Sequence, residues 1–556
     1  MLGRKLGIGI APESGGSVAA EPRSAPWVRP GVAAVHAQLP ASRAHVLLAA
    51  AASDRALAIS LAAAALAASL FRLPGTSLWS DELFSVELVS QPWQVFWGFL
   101  TTHEANMALY YLLLRGWLFV TGFLGVTPDE LVVRAPSLFV AVLGVAVVFW
   151  IGRRFGGRMV GAAGATLYLL NFVQLTKARE ARSYALETFL VCLGWYALVA
   201  ALAAERNRGR LWAAYVLAMT LAVYAHLFSV LILASQLIAF GALLVLPNEW
   251  RDRVRRSVRP MAVSVAAICI AVLPMALYVA GHGSTNAWIP PANAVAFLRL
   301  LWNMAGHDVM YGSLLGAAAI VAAAFVVRAR RRAQGSGAPL PRPLAIALGC
   351  WLCFPVALSF AVTQGYLNLH LFAWGYLVVV VPALCLLGGA GVAALPWPRV
   401  RLVAAMALVV AAGFATPIYS SLQAQDFRSA SRWIAVRYQP GDGLVSTTWS
   451  STLAMDYYTR IGAVPTGVVA ESPARSDWVG YGERALDQRA VAVYAAARSR
   501  VFLLSSLQSD DSALMKEQVQ TFETVFDRAY VLVDDVVVPS ASGPIRIRLY
   551  ETGAAR

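Results

Sequence analysis

Apolar runs of roughly 20 residues recur along this 556-residue chain, and they constrain its fold more than any other feature. A run of that length crosses the hydrocarbon core of a bilayer as an α-helix. Only 13% of the residues are charged, against roughly 25% in soluble domains. The sequence therefore predicts a polytopic α-helical membrane protein with about 11 spans, at 56–73, 131–151, 159–176, 184–203, 211–226, 227–246, 260–280, 312–327, 344–362, 370–395 and 401–419.

Both ends of the chain differ from this apolar middle. Residues 1–54 are rich in Ala, Gly, Pro and Arg without an apolar period, so we expect a disordered cytoplasmic tail before a transmembrane domain at 55–420. Residues 421–556 alternate short apolar runs with charged segments, which predicts a soluble α/β domain. Its predicted strands are 443–447, 501–505 and 530–538, and its predicted helices are 429–438, 483–498 and 512–526.

The distribution of arginine and lysine predicts the orientation. One set of alternate loops (152–158, 204–210, 247–259, 328–343 and 396–401) holds 18 of these residues, and the other set holds five. Cytoplasmic loops carry the excess of positive charge. The first set is therefore predicted to be cytoplasmic, with the first loop (74–130) and the C-terminal domain outside. The net charge of +15 fits this topology better than nucleic-acid binding.

The segment 108–125, ALYYLLLRGWLFVTGFLG, is apolar enough to span. As a full span it would place every later arginine-rich loop outside. It also carries Arg115 at its centre and is rich in aromatic residues. We therefore predict a helix that lies partly in the outer interface.

An adjacent acid pair, Asp81–Glu82, follows the first predicted span in the stretch WSDELFS. Carboxylates beside a membrane are costly and usually functional. The same first loop carries four further candidates for substrate contact: His103, Glu104, Asn106 and Tyr110.

A second outer loop, Thr176–Tyr184 (TKAREARSY), concentrates Lys177, Arg179 and Arg182 against the positive-inside trend. As a helix it would place Glu180 and Tyr184 on one face and the two arginines about a turn apart. Paired guanidinium groups suit a phosphate. Lipid headgroup contact or an ion pair with Glu180 would explain the charges equally well.

One chemistry links the two loops. A lipid-phosphate sugar has an apolar tail in the bilayer and an anionic leaving group at its surface. Arg179 and Arg182, with Lys177, would stabilise the phosphate, while a carboxylate such as Asp81 would take the proton of an attacking hydroxyl. A single displacement of this kind inverts the anomeric carbon. Glu82 would point elsewhere and hold a partner or a metal.

These motifs resemble those of bacterial membrane glycosyltransferases with the C-type (GT-C) fold, which use polyprenyl-phosphate sugars. WSDELFS, the LYYLLL segment and REARSYAL carry the resemblance, which covers about residues 56–420. The family includes protein O-mannosyltransferases and lipid A aminoarabinose transferases. The resemblance implies Asp81 as the base, a donor such as undecaprenyl-phosphate sugar, an acceptor on the outer face of the bacterial cytoplasmic membrane, and phosphate contacts from the Thr176–Tyr184 loop, Tyr184 included.

The sequence departs from the family at two places. Met107–Ala108 stand where many relatives have Pro-Pro, and Trp374-Gly375-Tyr376 lacks the arginine that relatives often carry before the tyrosine. His370 is a candidate substitute near the phosphate, although a histidine in this position is more often an ordinary residue at a helix end. His226, in a short outer turn, and Glu180 are further candidates for substrate contact, although a histidine placed like His226 is more often an ordinary interfacial residue.

Several alternatives stay open at this stage. A flippase or transporter of lipid-linked sugars would also need charged outer loops, although internal repeats and charged midplane spans are more typical of transporters. A polytopic assembly partner would leave Asp81 dispensable. The residues imply no certain cofactor and leave a divalent metal at Asp81 open. The acceptor could be a glycan, a lipid or a protein.

Overall fold

The computed structural model describes residues 41–553 except 206–207, 283–288, 332–339, 365–369, 416–423, 474–477, 479–486, 509–510 and 512. The chain divides into two units, Met1–Ser53 and Asp54–Arg556. Most of the predicted disordered tail (1–40) lies outside the described residues. From Ala41 onward the chain is helical, so the first helix begins before the predicted boundary at residue 54.

Helices form most of the described chain. Their bounds are α1 Ala41–Leu70, α2 Ser80–Ser90, α3 Trp93–Thr102, α4 Ala108–Phe123, α5 Glu130–Phe155, α6 Arg158–Leu170, α7 Phe172–Ala178, α8 Tyr184–Ala203, α9 Arg208–Ala225, α10 Ser229–Val245, α11 Arg251–Arg255, α12 Val258–Ala271, α13 Leu273–His282, α14 Ala294–Met304, α15 Val309–Arg331, α16 Arg342–Val362, α17 Val381–Ala394, α18 Pro398–Ala415, α19 Phe427–Arg437, α20 Trp449–Arg460, α21 Gln488–Ala496 and α22 Ala513–Ala529.

Seven helices within the described ranges are long and apolar enough to cross a membrane, or nine if each of two bent pairs is one span. This makes the chain a multi-pass membrane protein. The bent pairs are α6 with α7, at 63°, and α12 with α13, at 51°. The other two predicted spans coincide with α9 and the 17-residue α10. Neither is among the nine, so the count of eleven stays a prediction.

Small residues let three of these helices approach closely. A Cβ added at Gly152 of α5 would lie 2.6 Å from the Cα of Gly161 in α6, and one at Gly389 of α17 would lie 2.6 Å from the backbone nitrogen of Gly164 in α6. Small residues at such crossings are typical of helix packing in membranes, where backbones gain van der Waals contact. Helix α6 is therefore fixed between α5 and α17.

The segment predicted to lie in the interface forms α4, which has 16 residues and spans about 24 Å at 1.5 Å per residue. It is not among the described helices that qualify as spans. Arg115 donates hydrogen bonds from Nη1 to the carbonyl oxygens of Val89 (2.5 Å) and Gln91 (2.8 Å). Its guanidinium also lies 4.8 Å from the ring centroid of Phe96. The arginine thus satisfies the C-terminal carbonyls of α2.

A four-stranded sheet forms the centre of the C-terminal region, in the order β1-β2-β4-β3. Its strands are β1 Gly443–Ser446, β2 Arg500–Ser506, β3 Val531–Val538 and β4 Ile545–Glu551. Strands β1 and β2 are parallel, and β4 is antiparallel to both β2 and β3. The three predicted strands are present. Strand β4 and helix α20 were not predicted.

The C-terminal region packs against the first loop and shares one compact unit with the membrane helices. Phe84 of α2 contacts Trp449 and Trp478, with ring centroids 5.5 and 5.4 Å apart. Ion pairs join Arg460 to Glu87 and Arg428 to Glu130, and both carboxylates are buried. These contacts place the C-terminal region directly over the start of α2, where the acid pair lies.

Candidate functional site

Asp81 lies at the N-terminus of α2, the end of a helix that favours a negative charge. Its Oδ2 is 3.4 Å from Nη2 of Arg182, and 40% of its side chain is exposed. It lines a cavity of about 310 Å³. The first-loop acid and the basic loop 176–184 therefore meet in the structure.

Glu82 faces a different side of α2, because successive helical residues point about 100° apart. The carboxylate is fully buried and accepts four hydrogen bonds. Arg134 of α5 donates from Nε (2.7 Å) and Nη2 (2.6 Å), and the backbone nitrogens of Ala181 (2.8 Å) and Trp79 (3.3 Å) supply the others. Glu82 is not among the described residues that line the Asp81 cavity. Its position supports the predicted partner role and keeps its carboxylate out of that cavity.

Sequence reasoning missed Arg134. It lies in the fifth position of α5, within a predicted apolar span. Its Nη1 also donates to the carbonyl oxygen of Thr76, at 2.9 Å, and its Nη2 to that of Ser77, at 2.8 Å. The sequence did contain a signal for this residue, because Arg134 lies inside a predicted span near its arginine-poor end. A charged residue within a span usually has a partner.

The basic loop is not helical throughout. Helix α7 ends at Ala178, and α8 begins at Tyr184. The prediction that a helix holds Arg179 and Arg182 one turn apart is therefore wrong, and the two side chains have different partners. Arg182 is buried beside Asp81, with Nη1 3.4 Å from the hydroxyl of Tyr111. Arg179 instead donates to the carbonyl oxygen of Phe71 at 3.1 Å and does not line the described cavity.

Lys177 forms a buried ion pair with Glu180, with 2.8 Å between Nζ and Oε2. Its ammonium also lies 4.5 Å from the ring centroid of Tyr184 and 4.8 Å from that of Trp374. A Cβ at Gly375 would lie 3.6 Å from Nζ of Lys177. A cation from α7 therefore occupies the neighbourhood where relatives often carry an arginine before the tyrosine.

His370 was the sequence-based candidate for that position. Its Nδ1 instead hydrogen-bonds the carbonyl oxygen of Ile289, and it does not line the Asp81 cavity in the described part of the chain. The interpretation of His370 as an ordinary residue near a helix end fits this placement better.

Glu104 and Asn106 line the cavity with Asp81 and Arg182. Burial raises the pKa of Glu104 to about 7; Arg182 lowers it in part, and the charge of Asp81 raises it further. Asn106 accepts a hydrogen bond at Oδ1 from the backbone nitrogen of Leu227, at 3.0 Å. Of the four first-loop candidates, these two contact the cavity.

The other two have structural partners. Tyr110 is buried with its hydroxyl 3.0 Å from that of Ser137, which donates to the carbonyl oxygen of Arg182 at 3.2 Å. His103 has Nδ1 2.6 Å from the hydroxyl of Thr102 and stacks on Phe99. Neither is among the described lining residues.

His226 is buried in the turn between α9 and α10. Its Nδ1 accepts a hydrogen bond from the backbone nitrogen of Phe228 (3.2 Å), which places the proton of the neutral ring on Nε2. Burial lowers its pKa to about 3, and the charge of Arg182 lowers it further. The ring packs edge-on against Tyr376, 4.7 Å between centroids. His226 thus supports Tyr376, which itself lines the cavity.

Half of the lining comes from the C-terminal region, in which the sequence predicted no site residue. Its polar members are Thr448, Ser450, Ser506, Gln508 and Asp511. No group of three His, Cys, Asp or Glu side chains able to hold a metal occurs among the described residues. The metal suggested at Asp81 would have to share that carboxylate with Arg182.

Comparisons with known proteins place this geometry in a known fold. No protein-family model and no curated protein sequence matches the chain. ArnT from Cupriavidus metallidurans in the apo state is similar, with a TM-score of 0.52 and 13% identity, covering 90% of this chain and 98% of that one. The same protein bound to undecaprenyl phosphate gives a TM-score of 0.50 and 12% identity, with 88% and 97% covered.

The arabinofuranosyltransferase AftD from Mycobacteria is similar over 90% of this chain, with a TM-score of 0.51 and 15% identity. This chain covers 40% of AftD. At such identities the matches establish the fold alone. They confirm at that level the resemblance seen in the sequence: the chain has the fold of the C-type membrane glycosyltransferases.

Proposed function

We propose that this protein is an inverting glycosyltransferase that moves a sugar from a polyprenyl-phosphate donor to an acceptor at the outer face of the cytoplasmic membrane. The observation that carries the proposal is the meeting of Asp81 and Arg182, 3.4 Å apart, at one cavity. The pair offers a proton acceptor and an anion-binding group side by side. That combination suits a displacement in which a hydroxyl attacks and a phosphate leaves.

In the proposed reaction the acceptor hydroxyl attacks the anomeric carbon of the donor sugar. The new bond joins the acceptor oxygen to that carbon, and the bond from the carbon to the phosphate oxygen breaks. Its electron pair leaves with the polyprenyl phosphate, and the hydroxyl proton passes to the carboxylate of Asp81. A general base in such a position typically contributes 10²–10⁴-fold to the rate. One displacement of this kind inverts the anomeric configuration.

Arg182 and Lys177 are the proposed phosphate contacts. Arg182 lines the cavity beside Asp81. Lys177, on the flanking helix α7, is buried against Glu180 and does not line the described cavity, so it would meet the phosphate by exchanging that partner. A guanidinium held in a site of low polarity stabilises a developing phosphate charge without reorganising. Arg179 has no part in this assignment, since it turns toward Phe71.

Glu82 is proposed as a positioning residue. It accepts from the backbone nitrogen of Ala181, one residue before Arg182, and belongs to the same helix as Asp81. It thereby ties the base and the phosphate contact to the frame provided by Arg134. A divalent ion is not required by this assignment.

An apolar cavity of about 1390 Å³ between α14, α15 and α16 suits the isoprenoid chain of the donor. Asn171, at the bend before α7, donates to the carbonyl oxygen of Met304 at the end of α14 (3.2 Å). Since α7 carries Lys177, one short helix links this cavity to the proposed phosphate contacts. ArnT from Cupriavidus metallidurans, of the same fold, binds undecaprenyl phosphate.

The decisive experiment replaces Asp81 with Asn and follows sugar transfer from labelled polyprenyl-phosphate sugars in membranes. We expect transfer to fall at least 10²-fold, while the control Asp252→Asn, an exposed residue of α11, keeps wild-type activity. Full activity of the Asp81→Asn variant would refute the base assignment. Transport of the lipid-linked sugar across vesicles without any transfer product would favour a flippase instead.

The outer location is tested separately. A cysteine at Glu517, an exposed residue of α22, should react in intact cells with a reagent that cannot cross the membrane. Labelling only after lysis would place the C-terminal region, and the cavity beneath it, inside.

A further inference from the structure

The cavity beside Asp81 has two walls of different character. One wall comes mainly from the first loop and the loop 176–184, and it carries charge through Asp81, Glu104 and Arg182. The opposite wall comes entirely from the C-terminal region and carries hydroxyl, amide and carboxylate groups with one indole, that of Trp449. The charged wall contains the proposed base and phosphate contact, so the facing wall is free to recognise the acceptor.

Ser506 gives this wall a group that lacks a protein partner. It is the last residue of β2 and only 2% exposed. Its hydroxyl oxygen has no hydrogen-bond partner among the residues that the structure describes. Because an unsatisfied buried hydroxyl costs roughly 1–3 kcal/mol, its position at the cavity surface indicates that a bound ligand completes it.

The neighbouring polar groups are held in place. Thr448 caps α20 and lies 2.7 Å from the hydroxyl of Ser451 and 3.3 Å from that of Ser450. Asp511 accepts a hydrogen bond from the backbone nitrogen of Gln508 at 2.6 Å, which holds these two residues together. A preorganised set of neutral donors and acceptors recognises a ligand with many hydroxyl groups at little entropic cost.

The charge of this wall decides between acceptor classes. Among its described lining residues none is Lys or Arg, and Asp511 adds a carboxylate. A phosphorylated or carboxylated acceptor would meet that carboxylate without a counter-charge on this side. The volume of about 310 Å³ lies at the lower end of the ~300–1,000 Å³ of ligand pockets, which suits a sugar residue better than an extended peptide.

We propose that Thr448, Ser450, Ser506 and Gln508 form an acceptor site that selects an uncharged sugar residue, so that the acceptor is a neutral glycan. This assignment rests on the proposed transferase function. The sugar hydroxyl nearest Asp81 would be the one that attacks, while the others bind the C-terminal wall.

The test uses the full-length protein in detergent micelles and neutral methyl glycosides of hexoses and pentoses as probes. Saturation-transfer NMR reports binding, and transfer from labelled polyprenyl-phosphate sugars reports turnover. We expect Ser506→Ala and Gln508→Leu each to weaken glycoside binding about 3- to 10-fold, the value of one or two net hydrogen bonds, and to raise the acceptor KM more than the donor KM.

Ser505→Ala is the matched control, since neighbouring strand residues point to opposite faces and Ser505 does not line the described cavity. It should bind glycosides as the wild type does. Unchanged binding in both the Ser506 and the Gln508 variants would overturn the acceptor site, as would transfer confined to phosphorylated acceptors or peptides. Failure of the wild type to transfer sugar to any acceptor would overturn the transferase function itself, whereas glycoside binding would still be measurable.

Discussion

Substitution of Asp81 should reduce sugar transfer, whereas substitution of the adjacent Glu82 should reduce stability. The carboxylate of Glu82 is fully buried and accepts four hydrogen bonds, two of them from Arg134. In Glu82→Gln one carboxylate oxygen is replaced by an NH₂ group. Its N–H groups cannot accept the hydrogen bonds that Arg134 donates to Glu82. Breaking a buried ion pair by removing one partner typically costs about 3–5 kcal/mol. We expect a loss of that size in the free energy of unfolding.

The assay is denaturant unfolding in detergent micelles, followed by tryptophan fluorescence, for Glu82→Gln, Arg134→Met and the double variant. Since the pair acts as a unit, the double variant should cost about 2–3 kcal/mol less than the sum of the single variants. The pair Arg546–Asp535 is the control. Its shortest N–O distance (2.5 Å) is close to the 2.6 Å of Arg134–Glu82, but its side chains are 39% and 28% exposed. Asp535→Asn should therefore cost at most about 1 kcal/mol.

Two outcomes would refute this reasoning. The first is a Glu82→Gln variant that loses no more stability than Asp535→Asn. The second is exact additivity of the Glu82 and Arg134 substitutions, which would mean that the two side chains do not depend on each other. Either result would return Glu82 to consideration as a residue that contacts substrate.

Two further predictions concern the site, and a third concerns the end of α2. Glu104, with a pKa of about 7, is protonated below that pH and anionic above it. Because its anion would repel the phosphate of the donor, the donor KM of the wild type should rise above pH 7. In Glu104→Gln the donor KM should stay at its low-pH value. Arg182→Ala should raise the donor KM at least 10-fold. Arg179→Ala should leave the donor KM unchanged in the same transfer assay, because the side chain of Arg179 hydrogen-bonds the carbonyl oxygen of Phe71. Arg115→Ala should lower the free energy of unfolding by about 1.5–3 kcal/mol, since it removes two charged hydrogen bonds to the end of α2.

The sequence was sufficient for the features that depend on composition and topology. Apolar runs predicted the membrane helices, and the arginine count brought Asp81 and the loop of Arg182 to one side, where the structure has them 3.4 Å apart. Neither inference requires knowledge of side-chain packing, because the length of a span and the alternation of loops determine both.

Other features depend on packing between distant segments, and local patterns could not reveal them. Ser506, in the C-terminal wall, lines the same cavity as Asp81, although the two residues are more than 400 positions apart in the sequence. Arg134 was concealed in a predicted span. Strand β4 was overlooked although its sequence, IRIRLYE, alternates apolar and polar residues, the usual sign of a half-buried strand. That last omission could have been avoided from the sequence alone.

The bend at Asn171 explains how the two loops come to share one site. Its side-chain oxygen accepts from the backbone nitrogens of Val173 and Gln174, so it caps a new helix, α7, at 63° to α6. Because α7 ends after seven residues, Ala181 lies outside any helix, and its backbone nitrogen is free to donate to Glu82 rather than to a carbonyl four residues earlier. Continuing the helix through the loop would consume that donor and detach Arg182 from α2. The acid pair therefore needs both members: the buried Glu82 anchors the loop that carries Arg182, and the more exposed Asp81 pairs with Arg182 at the cavity.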